Sequence, residues 1–387
     1  MDLSVRKPPY IIPSYSLTGD LLSFLRCGLQ YRYGGLGQLP STRPVQLWFG
    51  QFSHGVLEEA YRRYRSAVDR GDAGAVPDDS ELTAIIELID RRLGARGLRA
   101  RNADVRRVGE ARARAAVLEL GPELFPIISE AEIPLNGTRH LPTDRWPDDL
   151  ARRESDRYEM AGVVDVITEI ELDSPALAGN RIVSAVIDAL PSALPARFEV
   201  IVDYKGMRRP ALQPNGNALD YWSIYEWQLQ TYARLRQVQP NARPVVAGAL
   251  LFLNELSPTW ADLNELRRET NKHRTDVAPE PGSSDAQAIS ARKRADQAPP
   301  ALSFDFRLRR ALRVIPVSEA SIAVAAVSFD NVVLDIELAR ARERSTPHIL
   351  TEWPNNPTDE ATCVACDWKT ICPAHDGQAP AVVPAEA

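Results

Sequence analysis

The 387-residue sequence has few cysteines, few lysines and no long apolar run. No apolar segment approaches the roughly 18–20 residues that a membrane-spanning helix needs. The first residues also lack the charged-then-apolar layout of a secretory signal. These absences argue against a membrane protein and predict a cytoplasmic protein in a reducing compartment, where disulfides among its four cysteines are disfavoured.

An excess of positive charge is also lacking, because 46 basic residues face 52 acidic ones and the net charge is −6. The overall charge therefore gives no sign of nucleic-acid binding. A local group of basic residues can still bind phosphates, since electrostatic attraction acts within about one Debye length. Nine arginines lie between Arg91 and Arg114. Two interpretations are open: the solvated face of a helix, or a surface that binds phosphates.

The order of patterns along the chain predicts an α/β (α+β) fold with a central mixed sheet flanked by helices. Strands are predicted in "IISEAEIPL", "AGVVDVITEIEL", "RIVSAVIDAL", "FEVIVDYKG" and "PVVAGALLFLNEL", and helices in "ALDYWSIYEWQLQTYARLRQ" and within residues 318–344. The expected organisation is N-terminal helices (1–65), a helical insertion (66–125), the strand-containing core (126–260), a mobile loop (261–300), C-terminal helices with a cysteine cluster (301–374) and a disordered tail (375–387).

Two aspartates interrupt predicted apolar strands. Asp165 lies in "AGVVDVI" and Asp203 lies in "FEVIVDYKG". Burying an isolated carboxylate costs several kcal/mol unless a cation or a hydrogen-bond donor compensates. Hard divalent cations such as Mg²⁺ and Mn²⁺ prefer oxygen ligands of this kind. The pair therefore predicts a metal site between two neighbouring strands.

Lys205 follows Asp203 by two residues, although only five of the 46 basic residues are lysines. Side chains alternate along a strand, so residues 203 and 205 face the same way. A lysine ammonium is compact and its pKa shifts with burial, whereas arginine stays charged. We predict that Lys205 positions or deprotonates an attacking water molecule, or balances charge in the transition state.

An aspartate on one strand followed by Asp-x-Lys on the next resembles the PD-(D/E)XK nuclease superfamily. The sequence is most similar to the branch that contains RecB- and AddB-type nuclease domains and Cas4-like exonucleases. That branch adds a histidine on an upstream helix, matched by His54 in "FSHGVLEEAY". It also adds a Gln-x-x-x-Tyr helix, matched by Gln228 and Tyr232 in "WQLQTYARL". The nominal Pro-Asp of the family is Val164-Asp165 here.

This resemblance implies a restriction-endonuclease-like core and a set of site residues. Asp165, Asp203 and Lys205 are expected to be catalytic, and His54, Asp165, Asp203 and the Tyr204 carbonyl to bind one or two Mg²⁺ or Mn²⁺ ions. Gln228 and Tyr232 are expected to contact nucleic acid or to support the lysine. A pure packing role for that helix face is the alternative.

The four cysteines are Cys27 and the three of "CVACDWKTIC", which are Cys363, Cys366 and Cys372. The C-x₂-C-x₅-C spacing is compatible with metal or cluster binding. A tetrahedral zinc site and free thiols are alternatives, although zinc sites usually use paired C-x₂-C motifs. The arrangement resembles the [4Fe–4S] cluster of AddB- and Cas4-like nucleases, which implies a structural cluster that joins the two ends of the chain.

The expected function is metal-dependent hydrolysis of phosphodiester bonds in DNA, as an exonuclease or in DNA-end processing, with single-stranded DNA preferred. The alternative is a nuclease subunit or nucleic-acid-binding scaffold that acts only within a helicase–nuclease, CRISPR-adaptation or other defence complex, and thus in DNA repair or antiviral defence. The sequence has no Walker-type phosphate-binding loop. A helicase would therefore be a separate chain.

Overall fold

The computed structural model describes residues 12–39, 45–72, 76–142, 144–150, 155–190, 194–212, 220–291, 297–346, 348–355 and 360–372. These residues contain a six-stranded mixed sheet. Its strands are β1 (Ser14–Ser16), β2 (Ile128–His140), β3 (Arg157–Glu171), β4 (Arg197–Lys205), β5 (Val245–Phe252) and β6 (Leu312–Pro316). The predicted α/β fold with a central mixed sheet is confirmed. The tail predicted for residues 375–387 lies outside the described residues.

Helices lie on both faces of the sheet. They are α1 (Leu22–Arg26), α2 (Gly28–Tyr31), α3 (Val45–Asp69), α4 (Asp79–Ala95), α5 (Ala103–Ala115), α6 (Gly121–Leu124), α7 (Arg181–Ala189), α8 (Tyr221–Gln237), α9 (Trp260–Asn271), α10 (Ser284–Ser290), α11 (Phe304–Ala311), α12 (Glu319–Ser345), α13 (Ile349–Glu352) and α14 (Glu360–Val364). Short π-helical turns cover Leu17–Leu21, Arg32–Leu36 and Ala116–Leu120, and 3₁₀ turns cover Phe125–Ile127, Pro175–Leu177, Leu253–Glu255 and Lys369–Ile371. None of the described helices is long and apolar enough to cross a bilayer.

The sheet separates two apolar cores. Helices α3 to α7 pack on one face, where Phe52 and Phe198 are fully buried. Helices α1, α2, α8 and α12 pack on the other face around residues such as Leu229 and Phe329. Because both faces are covered, β4 is buried along nearly its whole length. A carboxylate on this strand is therefore withdrawn from bulk water.

Strand β3 changes its partner in the middle of one edge. One edge pairs with antiparallel β2 along residues 157–168. The other edge pairs with parallel β1 at residues 159–161 and then with antiparallel β4 at residues 166–171. Among the described strands, residues 162–165 have no partner on that second edge. Asp165 is the last residue of this gap, next to the place where β4 begins to pair.

The segment "RIVSAVIDAL" is helix α7, so the predicted strand is wrong. Asn180 caps the helix by accepting a hydrogen bond from the Val183 N–H at 3.0 Å. Ile182, Val183 and Val186 are buried at helical spacing. The β-branched residues suggested a strand, but the cap and the one-sided burial favour the helix.

Helices α9 and α10 occupy part of the segment predicted as a loop at residues 261–300. The prediction rested on a shortage of apolar residues, yet Leu263, Leu266 and Ile289 form a small apolar cluster with Leu302 and Phe306. The loop prediction is therefore wrong for these two helices. Residues 292–296 lie outside the described part of the chain.

Candidate active site

Asp165 and His54 meet at the gap in the sheet, although 111 residues separate them in sequence. His54 lies in the first half of α3. Its Nδ1 is 3.4 Å from Asp165 Oδ1. The other oxygen, Asp165 Oδ2, accepts a hydrogen bond from the Tyr204 backbone N–H at 2.7 Å. The Tyr204 ring packs edge-on against the imidazole, with ring centres 5.6 Å apart.

The carboxylates around His54 control its charge. Burial lowers the pKa of His54, but the negative charges of Asp165, Asp203 and Glu132 outweigh that effect and raise the pKa to about 9. A raised pKa keeps the imidazole protonated at neutral pH when only these carboxylates face it. The site therefore concentrates negative charge and attracts cations.

Glu132 joins the same site and was missed by the sequence analysis. The β2–β3 pairs on either side of Glu132 place it across from Asp165. Its φ angle of 51° is left-handed, which is uncommon for glutamate and marks a local distortion of β2. The available signal was a carboxylate in an apolar strand, but Glu130 shows the same signal. Glu130 instead lies 3.1 Å from Arg236.

The pKa of Glu132 reflects the crowding of these acids. Burial and the charge of Asp165 raise the pKa of Glu132 to about 7, although the positive charge of His54 lowers it. Two carboxylates and an imidazole that perturb one another in this way are a frequent feature of functional sites.

His54, Glu132 and Asp165, the carboxylate–histidine group, fit a divalent metal ion. Each residue offers one ligand atom, and these three atoms lie within 4.8 Å of one another. Two carboxylate oxygens and one imidazole nitrogen suit Mg²⁺ or Mn²⁺. Asp203, also predicted as a ligand, lies outside this compact group among the described residues.

Asp203 and Lys205 form a buried ion pair on β4. Lys205 Nζ lies 2.6 Å from Asp203 Oδ2 and donates a hydrogen bond to Gln228 Oε1 at 2.7 Å. Gln228 Nε2 in turn donates to Asp203 Oδ1 at 3.0 Å. The Lys205 ammonium also lies 4.4 Å from the centre of the Tyr225 ring. Gln228 thus contacts both members of the pair, and the strand alternation predicted for Asp203 and Lys205 is observed.

Asp203 is a buried acid with a raised pKa and with one side-chain oxygen that accepts no hydrogen bond. Burial raises its pKa, and the charge of Asp165 adds to that effect, whereas Lys205 lowers it. Asp203 Oδ2 contacts the Lys205 ammonium but accepts no hydrogen bond of good geometry. A buried oxygen without such a donor has spare capacity for a further positive partner, which is a second feature that fits a cation at this site.

Tyr232 supports Gln228 from the next turn of α8. The Gln228 Nε2 group lies 3.1 Å from the Tyr232 hydroxyl oxygen. Tyr232 itself approaches β3 at Gly162, where a Cβ atom would lie 2.8 Å from the tyrosine ring. Gly162 therefore permits the close packing of α8 on the gap in the sheet. Sequence analysis did not single out this glycine, which lies three residues before Asp165 in "GVVD".

A group of carboxylates and a histidine that could hold a cation, next to a buried Asp–Lys pair on the adjacent strand, is compatible with a metal-dependent hydrolase. The family model for the PD-(D/E)XK nuclease superfamily matches residues 19–373. The chain belongs to this superfamily, as predicted. No curated protein matches it in sequence.

The four cysteines come together in the structure, on elements other than those that carry the candidate active site. Cys27 lies between α1 and α2, and it lines one small cavity together with Cys363, Cys366 and Cys372. None of the four forms a disulfide, and each is of intermediate burial. Burial raises the pKa of Cys27, whereas the backbone N–H groups of Gln30 and Leu29 lower it.

Contacts other than cysteine also join the two ends of the chain. Arg32 forms a bidentate ion pair with Glu343, with distances of 2.7 and 2.6 Å. The fully buried Trp353 donates from Nε1 to the same Glu343 at 2.7 Å. Trp368 packs so closely over Gly34 that a Cβ atom there would lie 2.5 Å from its ring. The cysteines therefore lie in a region that other contacts also hold together.

Proposed function

We propose that this protein is a metal-dependent deoxyribonuclease that hydrolyses phosphodiester bonds in single-stranded DNA or at DNA ends. The observation that carries the proposal is the position of the carboxylate–histidine group beside the buried Asp203–Lys205 pair, at the gap where β3 changes partner. Membership of the nuclease superfamily supports the same reaction type.

In this proposal His54, Glu132 and Asp165 hold Mg²⁺ or Mn²⁺, and Asp203 and the Tyr204 carbonyl are further candidate ligands. When bound, such an ion polarises a phosphate oxygen and lowers the pKa of water. Because Tyr204 donates its N–H to Asp165, the backbone of β4 also fixes the orientation of that carboxylate.

Lys205 is proposed to position the attacking water. An ammonium has three N–H donors. Gln228 accepts a hydrogen bond from one of them and the Asp203 carboxylate lies against the ammonium, which leaves donor capacity for a water molecule or a phosphate oxygen. Gln228 restrains both Lys205 and Asp203, and Tyr232 restrains Gln228. These contacts favour the supporting role for Gln228 and Tyr232 over a role in packing alone.

We further propose a [4Fe–4S] cluster bound by Cys27, Cys363, Cys366 and Cys372, as in the RecB-, AddB- and Cas4-like branch. The support is that the four thiols line one cavity. The cluster would be structural, because the ligands lie on different elements from the Asp203–Lys205 pair. Anaerobically purified protein is then expected to be brown and to contain iron and acid-labile sulfide. Colourless, folded protein with stoichiometric zinc would support the zinc alternative.

The central experiment incubates the purified protein with end-labelled linear and circular DNA, single- and double-stranded, in Mn²⁺, Mg²⁺ or chelator. Cleavage is expected with either metal and not with chelator. Asp203→Asn should abolish it, whereas Asp188→Asn, which changes an exposed aspartate on α7, should not. Cleavage by Asp203→Asn protein in chelator would refute the metal-site proposal. Activity that appears only with a helicase or defence-complex partner, in a cytoplasmic extract, would favour the subunit alternative.

A further inference from the structure

The arginines between residues 91 and 114 divide into two groups in the structure. Those of α5 each contact an acidic side chain: Arg106 with Asp90, Arg107 with Asp104, Arg112 with Asp262 and Arg114 with Asp79. The α5 arginines are therefore occupied by ion pairs, mostly with neighbouring helices, and are not available to bind phosphates. The remaining arginines lie at the end of α4 and in the connection to α5.

That connection is strongly basic. No acidic residue occurs from residue 91 to residue 103, whereas Arg96, Arg99 and Arg101 all lie within this stretch and are exposed. We call these three residues the basic turn. Within the described residues, Arg99 and Arg101 form no ion pair with an acidic side chain. The charges of Arg99 and Arg101 are therefore not neutralised by an acidic side chain of the described part of the chain.

The backbone of the basic turn is well defined by its own contacts. Gly97 adopts a left-handed φ of 75°, which glycine tolerates at the end of a helix. The Leu98 N–H then donates to the Leu93 carbonyl at 2.9 Å. Leu93 and Leu98 are both buried. These contacts at the end of α4 fix the backbone from which the three arginine side chains extend into solvent.

A groove connects the basic turn with the carboxylate–histidine group. It runs between α3 and α4 and has a volume of about 540 Å³. Gly50 and His54 line it on α3, and Arg92 and Arg96 line it on α4. A side chain at Gly50 would meet no atom within 4 Å, so this position leaves space beside the helix backbone.

The groove carries charges of both signs. Glu58 and Glu132 line it together with His54, and Glu132 belongs to the proposed metal site. Arg92 on α4 and Arg96 just after α4 also line it, and Arg92 lies 3.5 Å from Glu59. A polyanion would thus meet positive charge on the α4 side of the groove and the proposed metal ligands where the groove reaches His54.

We propose that this groove holds the DNA strand that leads to the carboxylate–histidine group, and that the basic turn binds its phosphates. This inference rests on the proposed nuclease function and assigns part of the substrate surface to the helical insertion. A groove of this volume, lined mainly by two neighbouring helices, suits one strand rather than a duplex. The α3 lining spans residues 47–58, which is about 16 Å at 1.5 Å per residue.

The test compares two triple variants with the same change in net charge. Arg96→Ala/Arg99→Ala/Arg101→Ala removes the basic turn. The control, Arg65→Ala/Arg70→Ala/Arg309→Ala, removes three exposed arginines outside the groove. Binding of a fluorescent 12-nucleotide single strand is measured in Ca²⁺ at several salt concentrations.

The basic-turn variant should bind at least tenfold more weakly at low salt. The slope of its log affinity against log salt should fall by about 2, because each phosphate contact on a single strand contributes roughly 0.7. The control and Arg96→Lys/Arg99→Lys/Arg101→Lys should bind within about twofold of the wild-type protein. Equal binding by the wild-type protein and the basic-turn variant would overturn the inference, as would tighter wild-type binding to a duplex of the same sequence.

Cleavage by the wild-type protein in Mn²⁺ separates this inference from the proposed function. If the wild-type protein cleaves DNA but loss of the basic turn leaves binding and slope unchanged, the groove assignment fails and the nuclease proposal stands. If the basic-turn variant loses binding but the wild-type protein never cleaves, the nuclease proposal fails and the binding groove stands.

Discussion

Lys205→Arg tests whether this lysine acts through its charge alone or through its position. The side chain is only 13% exposed. Its ammonium is enclosed by the Asp203 carboxylate at 2.6 Å, the Gln228 side-chain oxygen at 2.7 Å and the Tyr225 ring at 4.4 Å. Arginine keeps the charge but is longer, planar and essentially never deprotonated. It cannot place a single donor at the same point within this enclosure.

The expected loss of activity is large, and a separate loss of stability should accompany it. Loss of a positioned acid–base group typically reduces the rate about 10²–10⁴-fold, which corresponds to roughly 2.7–5.4 kcal/mol in activation free energy. Inserting the larger head group also costs about 1–3 kcal/mol of folding free energy through overpacking. Lys205→Met would be less informative, since it leaves Asp203 buried without its cation, at a cost of roughly 3–5 kcal/mol.

The assay is single-turnover cleavage of labelled single-stranded DNA in Mn²⁺, with Mn²⁺ binding and thermal unfolding measured on the same protein. Lys205→Arg should bind Mn²⁺ and DNA but cleave at least about 100-fold more slowly. Lys272→Arg, at the exposed C-terminal end of α9, is the matched control and should cleave normally. A rate for Lys205→Arg within a few-fold of wild type would show that the lysine serves only as a counter-ion for Asp203.

Three further predictions concern other parts of the molecule. Gly162→Ala should lower the free energy of unfolding by about 1–3 kcal/mol, because its Cβ meets the Tyr232 ring. Gly94→Ala, at an open position in α4, should instead raise the free energy of unfolding by up to about 1 kcal/mol. If chemical denaturation showed equal changes for the two variants, the packing argument would be contradicted. The pKa of His54 in the folded protein, about 9, exceeds its ordinary value of 6.5. In the metal-free protein the ion pair of His54 with Asp165 should therefore stabilise the fold fully below pH 6.5, and this stabilisation should be lost as the pH rises through 9. Metal ligation needs the neutral imidazole, so Mn²⁺ affinity by calorimetry should increase up to about tenfold per pH unit between about pH 7 and pH 9, where Glu132 is already ionised. An equally steep increase over this range in His54→Asn would refute this. Cys27→Ser should remove iron and visible absorption. The sheet core should still unfold at nearly the wild-type temperature, because Arg32 and Trp353 still hold both ends of the chain to Glu343. Full iron content in this variant, measured by metal analysis, would contradict the cluster assignment.

Much of the site was predictable because its signals are local in sequence. Asp165 and Asp203 each stand out within an apolar run, and the period of two in a strand fixes that Lys205 faces the same way as Asp203. The four-residue spacing of Gln228 and Tyr232 likewise fixes that both lie on one face of α8. These inferences needed only the geometry of a single element.

Other features depend on contacts between distant segments. The β-branched run of α7 favoured a strand until its cap and its one-sided burial were known. The arginines of α5 look like Arg99 and Arg101 in sequence, and only the position of acidic partners on other elements of the described chain distinguishes them.

The sequence by itself determined the fold class, the two strand aspartates, the lysine and the superfamily, because periodicity and spacing are properties of short segments. Only the tertiary structure decided which second carboxylate joins His54 and Asp165. Glu130 and Glu132 are equivalent in sequence. The register of β2 against β3 and the local distortion at Glu132 place Glu130 next to Arg236 and Glu132 in the carboxylate–histidine group. Register is set by the packing of the whole sheet, and a single strand does not encode it.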